Sequence, residues 1–167
     1  MNVSSNALSA NRIRAAAALV VLSLGTLLYV LARPSDQVPV LSALNVSHLL
    51  PAVVGGLGSS LPTFAHVFAF SLLTAVLLDG GRRVCLAACL AWFFVDTAFE
   101  VAQHRHIGAS IAEVIPDWFE AVPILDQAGS YFVAGIFDPW DLMSIALGAG
   151  AAYVLTLWTA PKVEHHE

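Results

Sequence analysis

Four long apolar stretches constrain the fold of this chain more than any other feature. They cover residues 14–32, 63–78, 84–103 and 140–159. A helix rises 1.5 Å per residue, so about 20 mainly apolar residues cross the roughly 30 Å of hydrocarbon in a bilayer. Charged residues make up only 11% of the chain, against about 25% in soluble domains. We therefore predict an all-α polytopic membrane protein, with residues 1–167 forming one domain of four transmembrane helices.

The first stretch could instead be a secretory signal peptide, because Arg12 and Arg14 lie at its start. Signal peptides carry an apolar region of about 7–15 residues, and this stretch is longer. Arg33-Pro34 would also be an unusual start for a mature chain. We therefore expect the first stretch to be an uncleaved membrane anchor.

Basic residues are distributed unevenly between the two sides of such a bundle. With four crossings, Arg33 and Arg105 fall on one side, and five of the seven basic residues fall on the other: Arg12, Arg14, Arg82, Arg83 and Lys162. The positive-inside rule then predicts that both termini are cytoplasmic and that the two longer connections face outward, as in a multi-pass protein of the cytoplasmic membrane. The net charge of −5 provides no basic surface for nucleic acid, so we expect no such partner.

The two longer connections, residues 38–61 and 107–137, are too apolar to be ordinary polar loops. The first contains LLPAVVGGLGSS, in which proline and glycine interrupt the apolar run, and the second alternates apolar and acidic residues around Trp118 and Phe119. Amphipathic and aromatic segments favour the headgroup region of a membrane. We predict interfacial or re-entrant segments, with a plain ordered loop as the alternative, chiefly for the first connection.

Three of the predicted helices bring polar side chains to a similar depth near the outer surface. The third helix carries Asp96, Glu100 and Gln103 with i, i+4, i+7 spacing, which places them on one helical face. His66 and Asp141 lie near the outer ends of the second and fourth helices. An ionised carboxylate that faces lipid costs about 2.5–3.5 kcal/mol at mid-helix, so we expect the acids to point into the bundle. These five residues are predicted to line an outward-opening, ligand-binding pocket.

Several of these polar residues also have a purely structural interpretation. Asp138 stands directly before a proline, as expected of an N-cap residue, and Asp141 would gain from the helix dipole. His66 could simply hydrogen-bond a neighbouring helix. His104 could lie in a solvated flank of the third helix.

A metal site is a second interpretation of the same region. Zinc and non-haem iron accept imidazole and carboxylate ligands, which are available from His66, Glu100, His104 and Asp141. The chain contains no spacing motif such as HExxH. The sequence therefore identifies no cofactor.

Two further features concern helix packing. Cys85 and Cys89 are one helical turn apart in an apolar run, so we expect buried thiols and no disulfide between them. The fourth stretch contains two small-xxx-small pairs, which allow neighbouring helices to approach closely: Ala146 with Gly150, and Gly148 with Ala152.

Three short motifs resemble the VanZ-like family of membrane proteins. They are TFAHVFAFSLL, FEVAQ and FDPWDLMSIALGAG, and the resemblance covers Leu61 to Ala152. It implies that the family's recurrent polar positions and last-helix glycine correspond here to His66, Glu100, Gln103, Asp141 and Gly148. The chain departs from the family pattern at three places. Pro62-Thr63 stands where members often have an acidic–basic pair, and Ile145 stands where an asparagine is common. No arginine directly precedes Asp138. The chain thus resembles a divergent member, or a sister family of small four-span proteins.

The resemblance implies a multi-pass protein of the cell membrane, linked in some family members to glycopeptide-antibiotic tolerance and without an established reaction. Our leading hypothesis is an envelope protein that lies among membrane lipids and binds a lipid-linked or cell-wall-derived ligand in its polar pocket. The alternatives are a non-catalytic subunit or scaffold of a larger membrane-protein complex, and a membrane metalloenzyme. Whether the protein is an enzyme stays open at this stage.

Overall fold

The computed structural model describes residues 3–32, 55–123 and 125–160, which contain helices and no strand. Two short 3-10 segments, Asp117–Ala121 and Leu125–Gln127, lie between the fourth and fifth helices. The six helices are α1 (Val3–Ala32), α2 (Gly55–Leu77), α3 (Arg82–Ala102), α4 (Arg105–Val114), α5 (Ala128–Ala134) and α6 (Pro139–Thr159).

Four of these helices are long and apolar enough to cross a membrane. The qualifying segments are Leu8–Val30 of α1, Ser60–Leu77 of α2, Arg82–Ala102 of α3 and Pro139–Thr159 of α6. Many of their large apolar side chains are exposed on the outside of the bundle, as hydrocarbon-facing residues would be. The prediction of an all-α protein with four candidate membrane spans is confirmed.

The second helix begins eight residues before its predicted start. We expected residues 55–61 to belong to an interfacial connection, because glycine and proline interrupt the apolar pattern there, and the predicted start of the helix at Thr63 was wrong. These residues are helical, and Pro62 lies inside α2. Helices in membranes tolerate proline when neighbours support the freed backbone, and α1 packs beside Pro62 at Gly25. Residues 38–54 of that prediction lie outside the described part of the chain.

The second predicted connection, residues 107–137, contains most of α4, both 3-10 segments and α5. Helices α4 and α5 pack together at Gly108, where an added Cβ atom would collide with the carbonyl oxygen of Phe132. Residues 103–123 and 125–138, which we call the helical connection, thus form a folded unit between α3 and α6.

Helix α2 occupies the centre of the bundle and packs against α1, α3 and α6. Close approach is possible because small residues stand at the crossings. A Cβ atom on Gly25 of α1 would lie 2.5 Å from the Cβ atom of Ala65, and one on Gly148 of α6 would lie 2.7 Å from the Phe64 carbonyl oxygen. Only one of the two predicted small-residue pairs is therefore used internally: Gly148 and Ala152 are buried, whereas Ala146 and Gly150 are exposed.

Cys85 and Cys89 are free and buried in the core formed with α2 and α6, as expected from their spacing. The sulfur of Cys85 lies 2.8 Å from the Thr156 hydroxyl of α6. The two sulfur atoms are 3.9 Å apart. Both residues thus contribute to the contact between α3 and its neighbours.

A polar network ties the helices together at one end of the bundle, which we call the arginine end. The Arg14 side chain is only 4% exposed. Its Nε donates to the Thr159 hydroxyl at 2.8 Å, and a terminal nitrogen donates to the Thr156 carbonyl at 3.3 Å. Asn11 donates to Asp79 at the turn between α2 and α3. The start of α1 is thereby fixed to the end of α6, where the dipole favours a cation.

Candidate functional site

A cleft of about 1070 Å³ opens at the end of the bundle opposite the arginine end. It lies where α2 begins, α3 ends and α6 begins. Its lining includes all five predicted site residues: His66, Asp96, Glu100, Gln103 and Asp141. The shared depth inferred from the sequence therefore corresponds to a shared cavity.

His66 and Asp96 form a pair across the contact between α2 and α3. The distance from Nδ1 of His66 to Oδ2 of Asp96 is 2.7 Å. A carboxylate only accepts hydrogen bonds, so an ionised Asp96 requires the proton to be on Nδ1. The Nε2 lone pair of a neutral His66 is then the free, basic position. The imidazole side chain is 41% exposed, so Nε2 is available to a bound molecule.

Aromatic side chains hold the His66 ring in place. Its centroid lies 4.3 Å from the Phe70 ring and 5.6 Å from the Trp92 ring, which meets it edge-on. Trp92 is itself fixed, because its indole N–H donates to the Thr74 hydroxyl at 3.0 Å. The imidazole therefore presents a defined face, oriented both by a carboxylate and by ring packing.

Glu100 connects the end of α3 to the start of α6. Its side chain is buried, and Oε1 accepts a hydrogen bond from the Asp138 backbone N–H at 2.7 Å. Asp138 in turn accepts from the Trp140 N–H at 2.9 Å, which confirms the predicted N-cap role. Asp138 also lines the cleft. One cap residue thus supplies a backbone donor to Glu100 and a further carboxyl group to the cavity.

Asp141 lies one turn into α6 and faces the first turns of α2. The hydroxyl groups of Ser60 and Thr63 are its hydrogen-bonding neighbours. Its Oδ1 atom is buried and has no hydrogen-bond partner within residues 3–32, 55–123 and 125–160. Buried polar atoms are nearly always paired in proteins. The hydroxyl oxygens of Ser71 and Thr97, which do not line the cleft, are unpaired in the same way, so this atom by itself does not identify a ligand contact.

Gln103 forms the junction between the cleft and the helical connection. Its side-chain N–H donates to the Tyr131 hydroxyl at 2.8 Å, and its side chain packs directly on Gly135. Partial burial raises the pKa of Tyr131 above its usual value, with nearby Glu100 adding to the effect. The neutral phenol is thus favoured at the mouth of the cleft.

His104 does not join the cleft. It is exposed and lies beside the rings of His106 and Phe137. Of the four proposed metal ligands, only His104 lies outside the cleft, but the described residues hold no group of three or more His, Cys, Asp or Glu able to bind a metal ion. The geometry gives no support to the metalloenzyme interpretation.

Sequence reasoning did not identify several residues that line the cleft. Trp92 could have been found, because it precedes Asp96 by one helical turn and shares its face. Tyr131 had no comparable signal, since it belongs to the helical connection, whose packing has no simple periodicity. Tyr29 also lines the cleft and comes from α1, which has no acidic or basic residue between Ala15 and Ala32.

The arrangement combines proton-transfer capacity with a negative potential. The neutral imidazole of His66 can accept a proton at Nε2, and Asp96 would stabilise the resulting imidazolium. Around this pair lie the carboxyl groups of Glu100, Asp138 and Asp141. No lysine or arginine lines the cleft within the part of the chain that the structure describes.

Comparisons of the chain with protein-family models, with curated proteins and with solved structures find no match. The resemblance to VanZ-like proteins therefore stays a prediction that rests on the three short motifs.

Proposed function

We propose that the protein is a multi-pass protein of the cytoplasmic membrane that binds an amphiphilic ligand, lipid-linked or derived from the cell envelope, in the cleft. The observation that carries this proposal is the mixed lining of one cavity. His66, Asp96 and Asp141 contribute polar groups, whereas Val95 and Phe99 contribute apolar side chains to the same space. A molecule with a polar head and an apolar tail matches both parts.

Lateral access from the lipid supports an amphiphile over a water-soluble ligand. Val95, Phe99 and Ile136 line the cleft and are 42%, 49% and 83% exposed, respectively. Apolar side chains exposed near the end of a candidate membrane span would contact lipid. A tail could therefore remain in the bilayer while the head enters the polar part of the cleft.

The charge distribution favours an outward-facing cleft. Arg14 and Arg82 belong to the arginine end, whereas the opposite end holds the cleft and the acidic helical connection. The positive-inside rule assigns the arginine end, and with it both termini, to the cytoplasm. Single cysteines at Asp117 and at Arg83, introduced into a chain with both native cysteines replaced by alanine, test this topology. A membrane-impermeant maleimide should label the first in intact cells and the second only after lysis.

The resemblance to VanZ-like proteins supports the same proposal. The residues that correspond to the family's recurrent polar positions, His66, Glu100, Gln103 and Asp141, all line the cleft. Their presence in one cleft is expected if they form a functional site. The family resemblance also implies a role in the cell envelope. For the alternative role as a scaffold, the Gly148/Ala152 pair is already buried against α2, which leaves Ala146 and Gly150 as the exposed small-residue pair.

Identification of bound lipids tests the proposal directly. The full chain is purified in a mild detergent, and its co-purified molecules are compared by mass spectrometry with the bulk membrane extract. We expect one class of amphiphile to be enriched, and we expect Val95→Trp, which narrows the cleft, to reduce that enrichment. Leu90→Trp is the matched control, since Leu90 is 49% exposed on the same helix and does not line the cleft. Equal lipid profiles for the three proteins and the bulk membrane would contradict the proposal.

A further inference from the structure

We propose that the cleft selects a cationic head group, such as a primary amine, and excludes phosphate and other anionic head groups. This inference rests on the proposed function, because it specifies the chemistry of the ligand that the cleft would bind. It separates two kinds of amphiphile that the mixed lining alone would admit equally.

The balance of charged side chains that line the cleft is the first observation in favour of a cationic head group. Four carboxyl groups, from Asp96, Glu100, Asp138 and Asp141, line the cleft together with one imidazole, that of His66. The imidazole can compensate only the carboxyl group to which it is bonded, Asp96. The other three acids are thus without a cationic partner among the described lining residues.

Hydrogen bonds to two of these acids do not cancel their charge. Glu100 accepts from the backbone N–H of Asp138, and Asp138 accepts from that of Trp140. Such donors stabilise carboxylates and leave their net charge unchanged. In their ionised form these carboxyl groups make the field in the cleft negative, and low-dielectric walls strengthen it. A phosphate would be repelled there, whereas an ammonium group would be attracted.

Asp141 is one of the three acids without a cationic partner among the described lining residues, and its carboxyl group lies beside the Ser60 and Thr63 hydroxyls at the start of α2. Its ionised carboxyl group would attract an ammonium group and repel a phosphate.

Aromatic rings in the lining also match a cation. Tyr29, Trp92 and Tyr131 all border the cleft. The faces of such rings attract ammonium groups, and tryptophan does so best. Trp92 is immobilised by its bond to Thr74. The cleft therefore combines carboxyl groups with π faces, as expected of a site for an organic cation that carries an apolar tail.

Three probes with the same tail test this inference: octylammonium, octyl phosphate and 1-octanol. Binding of each to the full chain in dodecyl maltoside is measured by isothermal titration calorimetry. We expect octylammonium to bind at least about tenfold more tightly than octyl phosphate, with 1-octanol between them. A factor of ten corresponds to about 1.4 kcal/mol, well within the effect of one partly desolvated charge pair.

Two matched variants identify the groups responsible. Asp141→Asn should weaken octylammonium binding about tenfold and should strengthen octyl phosphate binding. Asp117→Asn removes the same charge from an exposed residue outside the cleft and should change neither. If Asp141→Asn fails to give a monodisperse protein, the salt dependence of the wild type is the readout. Potassium chloride should then weaken octylammonium binding and leave 1-octanol binding unchanged.

The outcomes separate this inference from the proposed function. Equal affinities for the three probes, all reduced by Val95→Trp, would overturn the head-group inference and leave the amphiphile site intact. Tighter binding of octyl phosphate would overturn it in the same way. No saturable binding of any probe, together with no enriched lipid in the purified protein, would overturn both.

Discussion

Gly148 is the position where a single methyl group should most directly disturb both the bundle and the cleft. An added Cβ atom would lie 2.7 Å from the Phe64 carbonyl oxygen and 3.3 Å from both the Phe68 nitrogen and the Val67 Cβ atom. The nearest of these atoms is backbone, so no side-chain rotation relieves the contact. Restoring an ordinary separation of about 3.4 Å requires α6 to move roughly 0.7 Å away from α2.

The cost of Gly148→Ala follows from this displacement. Overpacking of a tightly packed contact typically destabilises by about 1–3 kcal/mol. Alanine also favours a helix over glycine by up to about 1 kcal/mol, which partly offsets the loss. Gly150→Ala separates the two contributions, because Gly150 lies in the same helix and has no atom within 4 Å of an added Cβ. The propensity gain is common to both variants, and only Gly148→Ala carries the packing cost.

Thermal unfolding in dodecyl maltoside, followed by circular dichroism, measures the difference. We expect Gly148→Ala to be less stable than Gly150→Ala by about 1–3 kcal/mol. For a chain of this size each kcal/mol corresponds to roughly 2–4 °C in Tm. Asp141 lies two turns from Gly148 on the same helix, so octylammonium affinity should fall in Gly148→Ala and stay unchanged in Gly150→Ala. Equal Tm values for the two variants would refute the close packing of α6 on α2.

Three further predictions concern other parts of the bundle. Arg14→Met should lower stability by about 1–3 kcal/mol, because the buried guanidinium bonds the end of α6, whereas Arg12→Met, at an exposed position, should have little effect on Tm. Cys85 and Cys89 are 0% and 3% exposed, so a maleimide should label neither in the folded protein and both after denaturation, as read by intact-protein mass spectrometry. Folding raises the pKa of Tyr131, so the stability from its neutral phenol is fully present below about pH 10 and is lost as pH rises through the folded-state pKa. Tyr131→Phe should remove that alkaline loss, and an unchanged decline of Tm above about pH 10 would contradict it.

The membrane architecture could be predicted from the sequence because the length of an apolar run is a direct physical requirement. The helix boundaries were less predictable. Gly55–Leu61 contains three glycines, which disfavour a helix in water, yet it forms the first turns of α2. Intrahelical hydrogen bonds are obligatory where no water competes, and packing against α1 adds support that local propensity does not include.

The residues of the candidate site could be predicted from the sequence, but their hydrogen-bond partners could not. Charge patterning and helical spacing placed His66, Asp96 and Glu100 at a common depth, and all three line one cleft. The partner of Glu100, however, is a backbone N–H group, that of Asp138. Every residue except proline offers such a donor, so no sequence pattern marks the one that is used. Gln103 donates its hydrogen bond to the Tyr131 hydroxyl, and the position of Tyr131 depends on how the helical connection folds.

The two ends of the bundle differ in a way that structural roles alone do not explain. At the arginine end, Arg14 is almost completely buried and its bonds go to Asn11, Thr156 and Thr159 within the same chain. At the cleft end, an imidazole is 41% exposed beside its carboxylate, and an oxygen of Asp141 is buried without a partner among the described residues. Stability would favour closing these groups against one another, as at the arginine end. The exposed imidazole and the carboxyl groups around an open cavity support the proposed ligand site, because the groups of such a site must remain accessible until a molecule binds.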